Sequence, residues 1–497
     1  MPSSRTSFSR TALVAGLLAL MASLTACGST VPAAQQAAAG DGLSQVQPTD
    51  GAGASATQGP SGTALAPGSR PTGGSAPVAS SATAPTGSLA TAVAGAKTGP
   101  VQVGFLVTKC GNCDLLGSGY NAPTHSEQTI LEALVRDQNA RGGFLGHKIV
   151  PVFGVEDTAA NDVQTMMQSI CSTFTQDHHV VAVLGAGFSF QEILAKCLAK
   201  AGILTIDATR STGLPDDVDL AKYPGWVLAN EPSANGYALS ALTSAVADGW
   251  VTPKTQLGFL NFSCPETDRA WKKTILPYLA ANHLTPKVVS TLSCPSGAGD
   301  LGAAAQGVAA AELKMHANGV DTVVTTDIPL VVFAEAAESQ GWRPKYVATE
   351  GAAAYQTLLA TAQQKNIHSA GWEPTYDLDS RHQLPLTTTG KNCLAALKRG
   401  GMGNPSVSEH VLYFSLCGGF QLYLQGVTKA QALTPSLVLQ AVEVLGSSFV
   451  SPMLLGERTL LSSRQHTAPV SYRSLAFADS CACFLYQGPM RPLPTTR

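Results

Sequence analysis

The stretch from Val180 to Ser211, VVAVLGAGFSFQEILAKCLAKAGILTIDATRS, restricts what this chain can fold into more than any other. Its apolar, β-branched opening, Val180 to Leu184, has the character of a buried strand. Gly185-Ala186-Gly187 breaks that strand. Phe190, Ile193, Leu194, Cys197 and Leu198 then recur at the spacing of a helix with one apolar face. Gly202 stops the helix, and Ile203 to Ile206 supplies a second strand. A strand-loop-helix-strand run of this kind is most simply a parallel crossover. The loops around Ser189 and around Ala208-Thr209-Arg210 therefore leave consecutive parallel strands on one edge. In open α/β sheets that carboxyl edge is where ligands bind. Ser189 also stands at a helix start, where free N–H groups attract a carboxylate or phosphate, although serine there also serves as a simple cap.

The same alternation runs along the rest of the chain. Val101–Val107 alternates into a strand, a Gly-containing loop covers Lys109–Asn121, and a helix over Glu127–Asn139 carries Ile130, Leu131, Leu134 and Val135 on one face. Ile149–Phe153 reads as a second strand with a helix from Asp162 to Phe174 behind it. Near Ala229 the pattern restarts. Helices are predicted over Gly236–Ala247, Thr267–Ala281, Leu301–Ala317 and Leu330–Ser339, and strands over Leu257–Phe262, Val288–Leu292, Asp321–Thr326 and Tyr346–Thr349. These are two doubly wound, Rossmann-like α/β lobes. Lys391–Val444 is helical without a strand of its own, and we expect it to return over the first lobe.

The N-terminus is of another kind. Arg5 and Arg10 precede an apolar run from Thr11 to Leu24, a signal peptide too short to be a spanning helix. Leu24-Thr25-Ala26-Cys27-Gly28 resembles a bacterial lipobox, which implies cleavage before Cys27 and lipidation of its sulfur. Acyl chains there would hold the protein at a membrane without crossing it. From Ser29 to about Gly99, Ala, Gly, Ser, Pro and Thr dominate, and only Asp41, Asp50, Arg70 and Lys97 carry charge. Such a segment cannot bury enough apolar surface to fold and reads as a tether. The expected divisions are a leader at 1–26, lipidated Cys27 and tether at 27–99, the first lobe from 100–229 and 373–451, and the second from 230–372 and 452–497. A net charge of −2, with charged residues at 13% and no basic run, removes the footprint of a nucleic-acid binder.

Eleven cysteines leave ten once Cys27 is set aside, an even number suited to an oxidising compartment. Cys171 and Cys197 fall on neighbouring helices of one sheet, Cys264 and Cys294 at strand ends, and Cys393 and Cys417 in the helical return. We expect these three pairs. Cys110/Cys113 and Cys481/Cys483 can each close on themselves or on one another, and sequence leaves that open.

The run Asn139-Ala140-Arg141-Gly142-Gly143-Phe144-Leu145-Gly146-His147-Lys148-Ile149 followed by Asp157, the pair Leu184–Ser189 and Ile203–Thr209, and Ala348-Thr349-Glu350-Gly351 together resemble type I periplasmic binding proteins. The nearest group is the Leu/Ile/Val-type receptors of ABC importers, and the resemblance extends from Val101 to Leu493. It implies two lobes joined by a three-crossing hinge, placed at Ala229–Glu231, Gly371–Pro374 and Ser451–Pro452. It further implies that Phe188, Ser189, Ala208 and Thr209 hold a ligand carboxylate and that Glu350 takes its ammonium. Tyr120 would line the side-chain pocket, with Phe262 and Asp327 at second-lobe loop ends. The implied protein is an extracytoplasmic lipoprotein that passes a small zwitterion, an amino acid or close analogue, to permease subunits. A CxxC in the first loop and a disulfide-capable tail depart from the family pattern.

Other classes fit less well. Gly185-Ala186-Gly187-Phe188-Ser189-Phe190 begins like a dinucleotide fingerprint but has Phe190 at its third glycine. Cys110-Gly-Asn-Cys113 resembles a thiol oxidoreductase motif, yet Gly117, Gly119 and Pro123 follow where a helix should begin. The second glycine of G-x-S-x-G is missing, and HExxH and the Walker A pattern are absent, so we expect no catalysis, cofactor or metal. A ligand sensor on the same fold, reporting to a signalling partner, remains the alternative to transport.

Overall fold

The computed structural model describes residues 99–109, 125–160, 162–185, 187, 190–208, 213–294, 300–325, 329–349, 355–356, 358–456 and 459–494. Cys27 and the expected leader and tether lie outside them.

The first lobe is built on β1 (Val101–Lys109), β2 (Ile149–Asp157), β3 (Ala182–Gly185), β4 (Leu204–Asp207) and β5 (Trp226–Leu228), in the order β2-β1-β3-β4-β5. Every neighbouring pair is parallel. Alternation along β1 explains the two layers. Val101, Val103, Phe105 and Val107 enter one buried cluster, and Leu106 enters another on the opposite face. The second cluster is closed by α2 (Val163–Ser172), continued by a π turn (Thr173–Asp177), and by α3 (Glu192–Lys200) and α4 (Asp217–Lys222).

The first cluster is closed by α1 (Glu127–Ala140), capped by Ser126, and by three helices from far along the chain: α11 (Thr388–Arg399), α12 (His410–Ala430) and α13 (Pro435–Glu443). The helical return therefore covers the first lobe. Its approach to α1 is close enough to demand a glycine, because a Cβ on Gly400 would lie 2.1 Å from the Ala133 carbonyl oxygen. Asp137 fastens the contact from a buried position, pairing with Arg141 at 2.7 Å and Arg399 at 2.7 Å.

The second lobe contains β6 (Leu257–Phe262), β7 (Pro286–Leu292), β8 (Thr322–Thr325), β9 (Lys345–Thr349), β10 (Ile367–Gly371), β11 (Ser471–Ala478) and β12 (Cys483–Pro492), in the order β12-β11-β10-β9-β8-β6-β7. The strands from β6 to β10 are parallel, while β11 and β12 add an antiparallel hairpin to β10. Leu260, Val323 and Tyr346 pack toward α8 (Leu301–Ala317) and α9 (Pro329–Ser339). Phe259, Val324 and Val347 pack the other way, toward α5 (Ala234–Ala247), α6 (Pro265–Ala270) and α7 (Leu276–Ala281), with a π turn at Trp271–Ile275 between the last two. A short α10 (Thr361–Gln364) leads into β10.

The strands β5, β10, β11 and β12 were not legible in the sequence. The chain leaves the first sheet after β5 to enter the second, and leaves the second after β10 to enter α11. Between α13 and the second sheet, Met453, Leu454, Leu461 and Ala468 pack in the cluster that also takes in Ala370 of β10 and Tyr472 of β11, and Ser471 is the first residue of this segment in the second sheet. This returning segment binds the other crossings through its backbone. Leu455 N–H donates to the Trp372 carbonyl at 2.6 Å and Ala468 N–H to the Leu228 carbonyl at 2.9 Å. Disulfides join Cys171 to Cys197, Cys264 to Cys294, Cys393 to Cys417, and Cys481 to Cys483. The last pair closes on itself.

Candidate functional site

The carboxyl ends of the parallel strands define the site. In the first lobe β3 reaches this edge only because its last residue is glycine. Gly185 has φ +139, and a Cβ there would sit 2.1 Å from the Leu106 carbonyl oxygen on β1. At the ends of β1 and β2, Lys109 Nζ lies 2.8 Å from Asp157 Oδ2; both groups are exposed to solvent screening. The Asp207 carboxylate, at the end of β4, accepts from Trp226 Nε1 at 2.9 Å.

Ala208 is fully buried. Its N–H donates to the Gly185 carbonyl at 2.7 Å, and its carbonyl accepts from Asn230 Nδ2 at 3.1 Å and from the Ser415 hydroxyl. Both backbone groups are thus held by hydrogen bonds within the protein. Phe262, at the end of β6, is partly buried against the second-lobe core, and its carbonyl accepts from Thr267 Oγ1 at 2.6 Å. Tyr120, Phe188, Ser189, Thr209, Asp327 and Glu350, with Cys110 and Cys113, lie outside the described residues.

Beside the carboxyl end of β6 lies a cavity of ~70 Å³, lined chiefly by second-lobe residues. Gly213 and Leu214, beyond β4, form one wall; Asn261 of β6, Tyr237 of α5 and Trp271 form others. Next to it an ion pair spans the lobes. Arg269 on α6 donates through Nε to Asp216 and through Nη2 to Asp219, each at 2.5 Å. Asp216 is the N-cap of α4 and forms a capping box with Asp219, so helix start and lobe contact share the same carboxylates. Asn235 on α5 extends the contact, accepting from Asp217 N–H at 3.0 Å and donating to Thr274 at 2.8 Å.

Asp216, Asp219 and Glu266 act on this single guanidinium, and Asp217 feels the charge of Asp216. Burial, and then the charge of Asp216, push Asp219 up against the opposing pull of Arg269. Burial likewise raises Asp217 and Glu266. Hydrogen bonding to Asp216 raises Arg269 further. This group is not legible in the sequence. The Asp-x-x-Asp pattern at Asp216 signals a helix cap, but nothing local points to Arg269. Among the described residues, no nucleophile–base pair and no metal-ligating cluster lies on this edge.

Two α/β lobes built on largely parallel sheets, crossed three times by the chain, with a cavity beside the carboxyl end of β6 that Gly213 and Leu214 help to wall, have the architecture of a two-lobed ligand binder. The chain belongs to the periplasmic binding protein family, whose profile matches residues 100–469. That family comprises extracytoplasmic solute-binding proteins, not enzymes. Among solved structures, the branched-chain amino acid transporter substrate-binding protein of Streptococcus pneumoniae in complex with isoleucine matches with a TM-score of 0.53 at 14% identity, covering 79% of this chain and 99% of that one. A branched-chain amino acid ABC transporter structure from Thermus thermophilus with bound valine matches at 0.56 and 16%, covering 79% and 97%. A solute-binding protein from R. palustris in complex with 4-hydroxybenzoate matches at 0.55 and 14%, covering 80% and 98%. No curated protein matches the chain. No helix of the described residues is long and apolar enough to cross a membrane.

Proposed function

We propose that this chain is the lipid-anchored substrate-binding protein of an ABC importer and that it closes over a small zwitterion, an amino acid or close analogue. The observation that carries the reading is the cavity beside the carboxyl end of β6, which Gly213 and Leu214 of the first lobe help to wall and which the Arg269 contact between lobes borders. Hinge closure around such a site is a common response of two-lobed binders. The carboxylate would meet the hydroxyls of Ser189 and Thr209 and the helix N–H groups beside Ser189. Glu350 would take the ammonium, and Tyr120 and Asp327 would border the side chain. Charge-assisted hydrogen bonds to both ends of a zwitterion distinguish it from a sugar or a simple anion. Isoleucine and valine in two fold neighbours support the class.

Calorimetry against amino acids, amino-acid amides and 4-hydroxybenzoate tests the reading. Glu350→Gln should weaken amino-acid binding by about tenfold to a few hundredfold, the loss of a charged hydrogen-bond partner. Binding of 4-hydroxybenzoate alone, or amino-acid binding unchanged in Glu350→Gln, would remove the ammonium assignment. Scattering at ligand saturation should show a smaller radius of gyration than the free protein.

A further inference from the structure

The turn between β11 and β12 carries a disulfide that contributes little to holding the fold. Cys481 and Cys483 are two residues apart, whereas the other three bridges among the described residues span 26, 30 and 24 residues. A cross-link's entropic stabilisation grows with the logarithm of its loop, so this one constrains the unfolded chain least. The backbone between the sulfurs is also strained, with Ala482 at φ +51, a left-handed conformation that alanine adopts at a cost. Cys481 is partly exposed and Cys483 buried. His382, on the segment that leaves β10 for the first lobe, reaches the same point with Nδ1 3.5 Å from Cys483 Sγ. Ligand atoms of His382, Cys481 and Cys483 all lie within 4.8 Å of one another.

Two thiolates and an imidazole are a donor set for soft and borderline metal ions. We infer that Cys481, Cys483 and His382 form a redox-gated site for a thiophilic ion such as Zn²⁺. An external dithiol opens the bridge: the reductant becomes a disulfide, and its two electrons, with two protons, convert the cystine to two thiols. Metal binding then releases those two protons to solvent, and His382 supplies a ring-nitrogen lone pair. Asp379 Oδ1 lies 3.7 Å from His382 Nδ1. Both Asp379 oxygens are held by Arg381 at 2.9 Å, so the fourth position of a tetrahedral ion falls to water. The closed disulfide offers no thiolate and binds no ion. The occupied site would clamp the C-terminal hairpin to the segment that carries the chain back to the first lobe.

The test titrates the full exported chain with Co²⁺, then displaces it with Zn²⁺. The chain is taken oxidised, and again after treatment with a dithiol under native conditions and removal of the reductant. The reduced chain should develop a thiolate-to-cobalt charge-transfer absorption and the oxidised chain none. Cys481→Ser with Cys483→Ser should abolish the signal, while Cys110→Ser with Cys113→Ser should keep it. His382→Ala should weaken binding by about tenfold or more, since even outer-shell losses at metal sites reach that size. Near-ultraviolet circular dichroism reports whether each variant is folded. A bridge that stays closed in the folded chain under dithiol, a reduced chain without the cobalt signal, a signal that survives the Cys481/Cys483 substitutions, or unchanged affinity in His382→Ala would each overturn the site.

Discussion

The two lobes share one β-α-β plan and differ in how the returning chain is fastened to them. In the first lobe the return arrives as helices, and the buried Asp137 carboxylate ties α11 to α1 through Arg399. In the second it arrives as strands, and the β11–β12 hairpin completes the edge of β10. There Asp248, at the end of α5, accepts from His368 Nε2 at 2.9 Å, Ser474 Oγ at 2.5 Å and Arg491 Nη2 at 2.5 Å. A helix satisfies its own backbone and needs only side-chain contacts to dock. An open strand edge leaves unpaired N–H and C=O groups, so it needs a ladder partner. The second lobe should therefore depend on the last part of the chain more than the first lobe does.

Removing the core of the hairpin is the strongest way to break this comparison. Phe484 is fully buried, with Phe477 and Tyr355 at ring-centroid distances of 5.7 and 6.1 Å. Phe484→Ala should cost about 3–5 kcal/mol and lower the unfolding midpoint of the second lobe. Phe105→Ala, a matched loss in the first lobe, should act on that lobe instead. Denaturant unfolding followed by lobe-resolved hydrogen exchange separates the two; equal protection losses in both lobes from either variant would show that the lobes do not stand apart.

A somewhat smaller effect is expected between the lobes. Arg269→Gln leaves Asp216 and Asp219 buried without their cation, which should cost about 3 kcal/mol. The loss should appear as looser lobe association in scattering, with both sheets intact; a sheet that melts would relocate the contact's role. Within the first lobe, Gly400→Ala must push α11 from α1. Overpacking of this kind costs about 1–3 kcal/mol, read in thermal unfolding, and a neutral result would show that α11 can shift freely.

The mildest perturbation is pH. Burial holds His368 below the ordinary histidine value of 6.5, even though Asp248 pulls the other way. A histidine depressed in the folded state takes up a proton more readily when unfolded. Its contribution is complete above 6.5 and is lost as pH falls from there through the folded value. Burial opposes ionisation of Asp248, but hydrogen bonds from Arg491, Ser474 and His368 prevail and hold its carboxyl well below its usual 3.8. That contribution is lost at more acid pH. Asp217 and Glu266, raised by burial, have the opposite sign: their contribution is complete at low pH and is lost as pH rises through their folded values. Acid should accordingly weaken the second lobe while favouring the lobe contact. Stability measured from about pH 7.5 to about pH 5 should fall in the wild type and stay flatter in His368→Gln; equal slopes would discard His368 as the source.

Much of the molecule was legible because its signals are local. Period-two alternation in Val101–Val107 and the helical stripe through Phe190 and Leu198 each report which faces are buried within a few residues of chain. Cys171 and Cys197 could be matched because the crossover rule sets their helices side by side. The hold of Asn230 and Ser415 on the Ala208 carbonyl left no such signal, since both come from other parts of the chain.

The sequence by itself determined the parallel β-α-β repeat, the division into two lobes and the residues facing each core, because those follow from chain-local sterics and from the cost of wetting apolar side chains. Tertiary structure alone decided that β10 takes an antiparallel hairpin, that Arg269 finds Asp216 and Asp219, and that His382 meets Cys481 and Cys483. Each joins groups distant in sequence, whose pairing is selected by what remains unsatisfied once the lobes have formed: an open strand edge, a buried carboxylate, a turn brought beside a loop.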